Sequence, residues 1–215
     1  MEFTVKVLLA YLLGSVVGSL VVGRLRGGVD IRKSGSGNAG ATNALRTQGA
    51  SFAIWVILID IAKGVIAAAL LPRLELPGIA PVSADLAAWL PAACAFAAIV
   101  GHVFPVWHGF RGGMGVATLV GAYAGLNPVL LLPLFASWLV LVTVSGFVGL
   151  ASIFAALAMP VYLLMHDGPV LTPELVFALA CAVLVIYTHR GNVRRMRDGT
   201  EPRARRLWLF GRRRA

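Results

Sequence analysis

Seven apolar stretches recur along this chain, and most of them are long enough to cross a lipid bilayer as a helix. The 215 residues are 59% hydrophobic and only 13% charged, a balance outside the range of soluble domains. Because a backbone in hydrocarbon must satisfy its own hydrogen bonds, such stretches form helices. We predict an all-α, polytopic membrane protein with seven transmembrane helices, at residues 4–23, 52–72, 86–106, 114–126, 128–146, 148–165 and 174–188.

The fourth stretch, from Met114 to Leu126, is short, and Asn127-Pro128 separates it from the fifth, so six spans are the alternative. With seven spans, 16 of the 19 Lys and Arg residues fall on one face of the membrane. The positive-inside rule then predicts an outside N-terminus and a cytoplasmic C-terminus. We expect a single membrane domain, 1–215, with a basic cytoplasmic tail from about residue 190.

The net charge of +10 indicates attraction to anionic lipid rather than binding of nucleic acid, because the basic residues flank the apolar stretches. In the segment 203–215, a short apolar run lies between arginines: Leu207, Trp208, Leu209 and Phe210. That pattern is typical of an interfacial membrane anchor, and a disordered basic tail is the alternative. We expect membrane lipid as a partner and no nucleic acid.

The first polar segment runs from Ser34 to Arg46 and reads SGSGNAGATNALR. It matches G-x-G-x-x-G, but a transmembrane helix rather than a β-strand precedes it, so we reject a dinucleotide site. Glycines let successive backbone N–H groups converge on an anion, and an arginine suits phosphate. We predict an anion site here, with the candidates Gly35, Ser36, Gly37, Asn38, Gly40, Thr42, Asn43 and Arg46. A flexible loop of turn-forming residues is the alternative.

The second polar segment is GHVFPVWHGFRGGMGVAT, from Gly101 to Thr118. A glycine-rich turn before a helix is expected to offer free N–H groups to an anion. The candidates are His102, Arg111, Gly112, Gly113 and Gly115. For His102 a capping or interfacial role is the alternative to a functional one.

The third polar segment follows the last apolar stretch and contains His189, Asn192 and Arg195. If the helix continues past Thr188, His189 and Asn192 share one face at i, i+3. A stop-transfer flank would explain the arginines but neither the histidine nor the asparagine.

Asp60 and Lys63 lie inside the second apolar stretch, at a spacing that predicts an ion pair. The pair would either brace the glycine-rich loop or hold helices together. No spacing typical of metal ligands and no G-x-S-x-G elbow occurs in the sequence. We therefore expect neither a metal nor a cofactor.

The three segments together resemble the bacterial acyl-phosphate:glycerol-3-phosphate acyltransferases, a small seven-span family of the inner membrane. Its first motif, S-G-S-G-N-x-G-A-T-N followed by an arginine, matches Ser34 to Arg46. Its second, G-H-x-F-P with F-K-G-G-K-G-V-A-T, matches Gly101 to Pro105 and Phe110 to Thr118. Its third, H-x-x-N-[IV]-x-R, matches His189 to Arg195. An Asp-x-x-Lys-Gly matches residues 60–64, so the resemblance covers nearly the whole chain.

The chain departs from the family pattern at two places. The two lysines of F-K-G-G-K-G are Arg111 and Met114 here. In the stretch that matches the family's R-Y-V-S-L-A-S-I, the arginine is Gly146 and the first serine is Gly149. Cations and a hydroxyl are thus missing, which favours a divergent or weakly active paralogue as one alternative.

The resemblance implies transfer of a fatty acyl group from acyl phosphate to the 1-hydroxyl of sn-glycerol 3-phosphate, the first acylation of phospholipid synthesis. It implies catalytic roles for Ser36, Arg46, His189 and Asn192, and substrate contacts for the other candidates. It also implies an inner-membrane protein with a cytoplasmic active site, supplied by a soluble enzyme that makes acyl phosphate. The non-enzyme alternative is a transporter of anions or lipid phosphates.

Overall fold

The computed structural model describes residues 1–213, and all regular structure within that range is helical, as the sequence predicts. The α-helices of the described range are α1 Glu2–Gly14, α2 Gly18–Leu25, α3 Ala41–Gln48, α4 Ala50–Val65, α5 Ala84–Ala87, α6 Leu90–Val103, α7 Val116–Leu126, α8 Leu131–Ser145, α9 Val148–Asp167, α10 Pro173–Thr188 and α11 Arg190–Arg197. A π-helical turn, Ile66–Leu70, and a 3-10 turn, Leu71–Arg73, extend α4. Further 3-10 turns are Ile31–Lys33, Val106–His108, Pro128–Leu130 and Leu209–Arg213.

Four helical segments of the described range are long and apolar enough to cross a membrane: Ala50–Arg73, Leu90–His108, Pro128–Ser145 and Val148–Asp167. Two bent helix pairs raise the number to six when each counts as one span. The pairs are α1 with α2, bent by 47°, and α10 with α11, bent by 49°. The short fourth stretch forms α7, which ends before Asn127 as expected. The number of spans and their sidedness stay predictions.

The first predicted span, 4–23, is a broken helix in the structure rather than a continuous one. Residues 15–17 separate α1 from α2, and Val17 is extended, with φ −87° and ψ 117°. The sequence there gives no strong helix breaker, since Ser15, Val16 and Val17 are all tolerated in membrane helices. The cause lies elsewhere in the chain, in the buried side chains of α4 described below.

The chain divides into two compact units, Met1–Pro128 (unit 1) and Val129–Ala215 (unit 2). In unit 1, α1 packs on α6 and α4 packs on α7. In unit 2, α9 packs between α8 and α10. The single domain over 1–215 stays a prediction.

Small residues let the helices of unit 1 approach closely. A Cβ atom at Gly14 on α1 would overlap the carbonyl group of Ala98 on α6. At Gly121 on α7 it would overlap the Ile61 carbonyl on α4. This is the packing mode expected in lipid, where van der Waals contact between backbones replaces the hydrophobic drive.

Candidate active site

The side chain of Asn43 organises the glycine-rich loop of unit 1. The two N–H donors of its Nδ2 are shared among the carbonyl oxygens of Ile31 (2.9 Å), Ser34 (3.1 Å) and Asn38 (2.9 Å). Its Oδ1 accepts from the backbone N–H of Ser36 at 2.9 Å. The residue is 2% exposed, so the amide is used by the loop itself. Asn43 thus shapes the loop. We expected this residue to contact a ligand directly, but its N–H donors are already used within the loop.

The loop's glycines serve this arrangement. Gly35 and Gly37 have φ of +60° and +71°, in the left-handed region that favours glycine. A Cβ atom at Gly35 would also overlap Oδ1 of Asn43. Asn38 closes the loop, because its Oδ1 accepts from the N–H of Gly40 at 2.7 Å.

Polar groups at the loop surface and at the start of α3 are open to a ligand. Helix α3 begins after Gly40, so the N–H groups of its first turn lack intrahelical partners. The side chains of Ser36, Thr42 and Arg46 are exposed around this turn. A helix start with a nearby guanidinium has the polarity that an anion requires.

Replacing Asn43 by aspartate is expected to release this loop, because aspartate has the same shape but no N–H donor. Three carbonyl oxygens then lose their partner and face a carboxylate instead, at about 1–3 kcal/mol for each buried group left unsatisfied. Amide hydrogen exchange in the loop should accelerate about tenfold or more. Gln48→Ala, on the exposed face of the same helix, should leave the exchange rates unchanged. Equal protection in Asn43→Asp and the native protein would contradict the organising role.

Arg32 joins the two glycine-rich segments of unit 1. Its Nη1 donates to the carbonyl oxygens of His108 (3.2 Å) and Arg111 (2.9 Å). Its Nη2 lies 2.8 Å from Oδ2 of Asp30. Hydrogen bonding to this guanidinium lowers the pKa of the Asp30 carboxyl below its usual value. The carboxylate therefore keeps Arg32 turned toward the second segment.

The second segment folds differently from the sequence-based expectation. The N–H of Gly112 donates to the Val103 carbonyl, and that of Gly113 donates to the His102 carbonyl, both at 3.1 Å. These two N–H groups cap the C-terminal end of α6, so the expectation that they are free for an anion is wrong. Gly115, with φ +87°, precedes α7, whose first turn still offers unpaired N–H groups. Arg111 is exposed beside this turn.

A buried polar cluster of Asp60 and Lys63 on α4 and His102 on α6 connects these two helices of unit 1. The three residues are 1%, 3% and 2% exposed. Nζ of Lys63 lies 2.9 Å from Oδ1 of Asp60 and 2.8 Å from Nδ1 of His102. The ion pair is thus confirmed, and the burial of His102 argues that this residue supports the neighbouring turn rather than touching a ligand.

The same cluster explains the break between α1 and α2. Lys63 donates to the carbonyl oxygens of Gly14 (2.9 Å) and Val16 (2.8 Å), which the helix break leaves without intrahelical partners. Asp60 accepts from the N–H of Gly18 at 3.1 Å, at the start of α2. A cation at a helix C-terminus and a carboxylate at a helix N-terminus are both favourable. The pair therefore replaces the missing turn of backbone hydrogen bonds.

In unit 2, His189 occupies the junction between α10 and α11, so the helix bends where the sequence suggested that it continues. The residue is 3% exposed, and its Nδ1 lies 2.9 Å from the Val185 carbonyl oxygen. Because a carbonyl oxygen only accepts, this hydrogen bond requires the proton on Nδ1. Nε2 of the neutral ring then carries the free lone pair and can accept a proton.

Asn192 lies one turn after His189 and is held by a carboxylate. Its Nδ2 donates to Oε1 of Glu201 at 2.8 Å, while Nε of Arg195 lies 2.6 Å from Oε2 of the same residue. Within the described part of the chain, Oδ1 of Asn192 is buried without a hydrogen-bond partner. An unsatisfied acceptor of this kind calls for a donor such as a ligand hydroxyl. Arg195, in contrast, is engaged by Glu201.

Sequence reasoning missed two residues that arrange these groups. Arg32 stands in a basic run, which we interpreted only as a sign of topology. Glu201 follows Gly199-Thr200, and nothing in its local pattern indicates that it bridges Asn192 and Arg195. Both act through tertiary contacts that local spacing does not encode.

The fold and these residues together define a class of protein: a multi-pass helical membrane protein with polar, glycine-rich segments that precede helix starts. The family model described as glycerol-3-phosphate acyltransferase matches residues 4–199, and the chain belongs to that family. Among the described residues, no group of three or more His, Cys, Asp and Glu side chains could hold a metal ion.

Named relatives agree with this membership over nearly the whole chain. A glycerol-3-phosphate acyltransferase of Synechococcus elongatus is 43% identical, with 91% of each chain covered. Those of Chlorobaculum tepidum and Coxiella burnetii are each 37% identical, covering 94% and 95% of this chain and 97% and 100% of theirs.

Solved structures of PlsY, an integral membrane glycerol 3-phosphate acyltransferase, share the fold. The glycerol 3-phosphate form superposes with a TM-score of 0.82 at 35% identity, covering 94% of this chain and 96% of PlsY. The lysophosphatidic acid form gives 0.80 at 34% identity, covering 94% and 95%.

Proposed function

We propose that this protein transfers a fatty acyl group from acyl phosphate to the 1-hydroxyl of sn-glycerol 3-phosphate. The products are 1-acylglycerol 3-phosphate and inorganic phosphate. The observation that carries the proposal is the similarity, over 94% of the chain, to PlsY structures in a substrate form and a product form. Family membership over residues 4–199 supports the same reaction.

The loop of unit 1 is suited to phosphate binding. Ser36, Thr42 and Arg46 would donate to phosphate oxygens, together with the N–H groups at the start of α3. Asn43, Gly35 and Gly37 would hold the loop in shape. Arg111 and the first turn of α7 supply further donors in the same unit. Fixing a phosphate in this way lowers the barrier by positioning and by stabilising charge on the leaving group.

The junction of unit 2 is suited to activating a hydroxyl. Nε2 of His189 would accept the proton of the 1-hydroxyl, while Oδ1 of Asn192 orients the substrate through a second hydroxyl. The alkoxide oxygen attacks the acyl carbonyl carbon, the carbon–oxygen bond to phosphate breaks, and the proton leaves with the phosphate. An acyl phosphate already carries a good leaving group, so no covalent enzyme intermediate is required.

We further propose that the protein lies in the inner membrane with these residues facing the cytoplasm. The positive-inside count supports this sidedness, because the polar segments share the face that holds 16 of the 19 basic residues. A soluble enzyme that makes acyl phosphate would supply the donor from that side.

The reaction is tested with purified protein in proteoliposomes, given acyl phosphate and labelled glycerol 3-phosphate. We expect inorganic phosphate and labelled 1-acylglycerol 3-phosphate in equal amounts, and no phosphate release without the acceptor. Label that enters the vesicles without being acylated would instead favour a transporter. Slow turnover that Met114→Lys raises would favour the weakly active paralogue. No acyl transfer by either protein would overturn the proposal.

A further inference from the structure

The C-terminal segment of unit 2 folds back onto the turn between α8 and α9. The backbone N–H of Ala204 donates to the Gly146 carbonyl at 2.8 Å. Nε1 of Trp208 donates to the Val144 carbonyl at 3.2 Å, in the last turn of α8. We considered an interfacial anchor and a disordered tail for this segment. These hydrogen bonds show that residues 202–211 are not a disordered tail.

Gly146 is required for this docking. It has φ +76° and ends α8. A Cβ atom there would lie 2.9 Å from Cγ of Trp208, closer than real Cβ contacts come, and a tight 3.2 Å from Cβ of Arg203. The departure from the family pattern at residue 146 thus removes an arginine and makes room for the tail.

The docked tail holds the guanidinium of Arg203 against two aromatic rings. Its central carbon lies 4.1 Å from the centroid of Trp208 and 4.6 Å from that of Phe147. Such cation–π contacts fix the charge without consuming N–H donors. In the described part of the chain no carboxylate forms an ion pair with Arg203, and the side chain is exposed.

Two short connections link Arg203 to the hydroxyl-activating residues of the same unit. Glu201, which binds Asn192, precedes Arg203 by two residues. Gly149, whose added Cβ would lie 2.9 Å from Asn192 atoms, follows Phe147 by two residues. Two residues span at most about 7 Å, so the backbone of Arg203 lies within that distance of Glu201, the partner of Asn192.

We propose that Arg203, fixed by Phe147 and Trp208 over Gly146, is a phosphate-binding residue of unit 2. Its ligand is a phosphate group at the membrane surface, carried either by a substrate or by a lipid headgroup. An arrangement with fixed charge, free donors and no internal counter-ion fits this chemistry. The substrate version rests on the proposed function; the binding of phosphate itself does not.

The test compares Arg203→Ala and Arg203→Lys with Arg205→Ala, a control that removes the same charge from an exposed neighbour. Full-length proteins are placed in nanodiscs of phosphatidylcholine, with or without phosphatidylglycerol. Binding of inorganic phosphate is measured by calorimetry, and KM and kcat for both substrates are measured by phosphate release. Calorimetry needs no turnover. If the native protein proved inactive, the proposed function would be rejected, but phosphate binding by Arg203 could still be measured.

For a substrate phosphate, Arg203→Ala should weaken phosphate binding and raise one KM by about ten- to a hundredfold, with kcat little changed. Arg203→Lys should fall between, because it keeps the charge but loses the planar fork. For the phosphate of an anionic lipid headgroup, whose charge no choline offsets, the defect should appear only in discs with phosphatidylglycerol. Arg205→Ala should stay within about twofold of the native protein. If Arg203→Ala and Arg205→Ala had the same phosphate affinity and the same KM values in both kinds of disc, the proposal would be overturned.

Discussion

Replacing Lys63 by methionine is expected to lower the free energy of unfolding by about 3–5 kcal/mol, because it leaves a buried carboxylate without its partner. Lys63 and Asp60 are 3% and 1% exposed and lie 2.9 Å apart. The substitution also strips the carbonyl oxygens of Gly14 and Val16 of a donor at the break between α1 and α2. No water in the bilayer core can replace it.

The buried thiols of Cys94 and Cys181 provide the measurement. A thiol-reactive dye labels them only when the protein unfolds, so the labelling midpoint on heating in detergent reports stability. Lys33→Met, at an exposed site, should not move the midpoint. The double variant Asp60→Asn, Lys63→Met should be more stable than Lys63→Met alone, since no unpaired charge stays buried. A single variant as stable as the native protein would show that the pair does not hold the break.

This pair also shows what the sequence predicts and what it does not. Its i, i+3 spacing within an apolar stretch was sufficient to predict the contact, and the apolar periodicity located the helices. The break at residues 15–17 was not predictable in the same way. It is stabilised by side chains more than forty residues away on another helix, and local composition carries no trace of them.

The two segments that we propose to bind an anion show the same division between what the sequence predicts and what it does not. The loop at Gly35 and the turn at Gly115 were identified from residue types, since glycines and polar side chains in a membrane chain require a reason. The role of each residue within these segments was not predicted. Asn43 turns inward, and Gly112 and Gly113 cap α6, because hydrogen-bond partners are chosen by tertiary packing. Local pattern thus suggests where a site could lie more readily than it assigns the donors within it.

His189→Ala is expected to lower kcat for acyl transfer by about 10²–10⁴-fold, the usual range for loss of a general base. KM for acyl phosphate should change little, because the variant keeps the loop of unit 1 that we propose to bind phosphate. His166→Ala, an exposed histidine at the far end of α9, is the control and should retain native turnover. Phosphate release at saturating concentrations of both substrates gives kcat directly.

The variant Asn192→Ala, alone and combined with His189→Ala, tests whether His189 acts as a base or has only a structural role. If Nε2 of His189 takes the proton while Oδ1 of Asn192 aligns the acceptor, the two act as a unit, and the double variant should lose little more than His189→Ala alone. Losses that multiply would indicate two independent roles. Near-native turnover in His189→Ala would remove the histidine from the catalytic list and leave a phosphate oxygen of the substrate as the proton acceptor. In that case the junction between α10 and α11 would serve only to orient the glycerol.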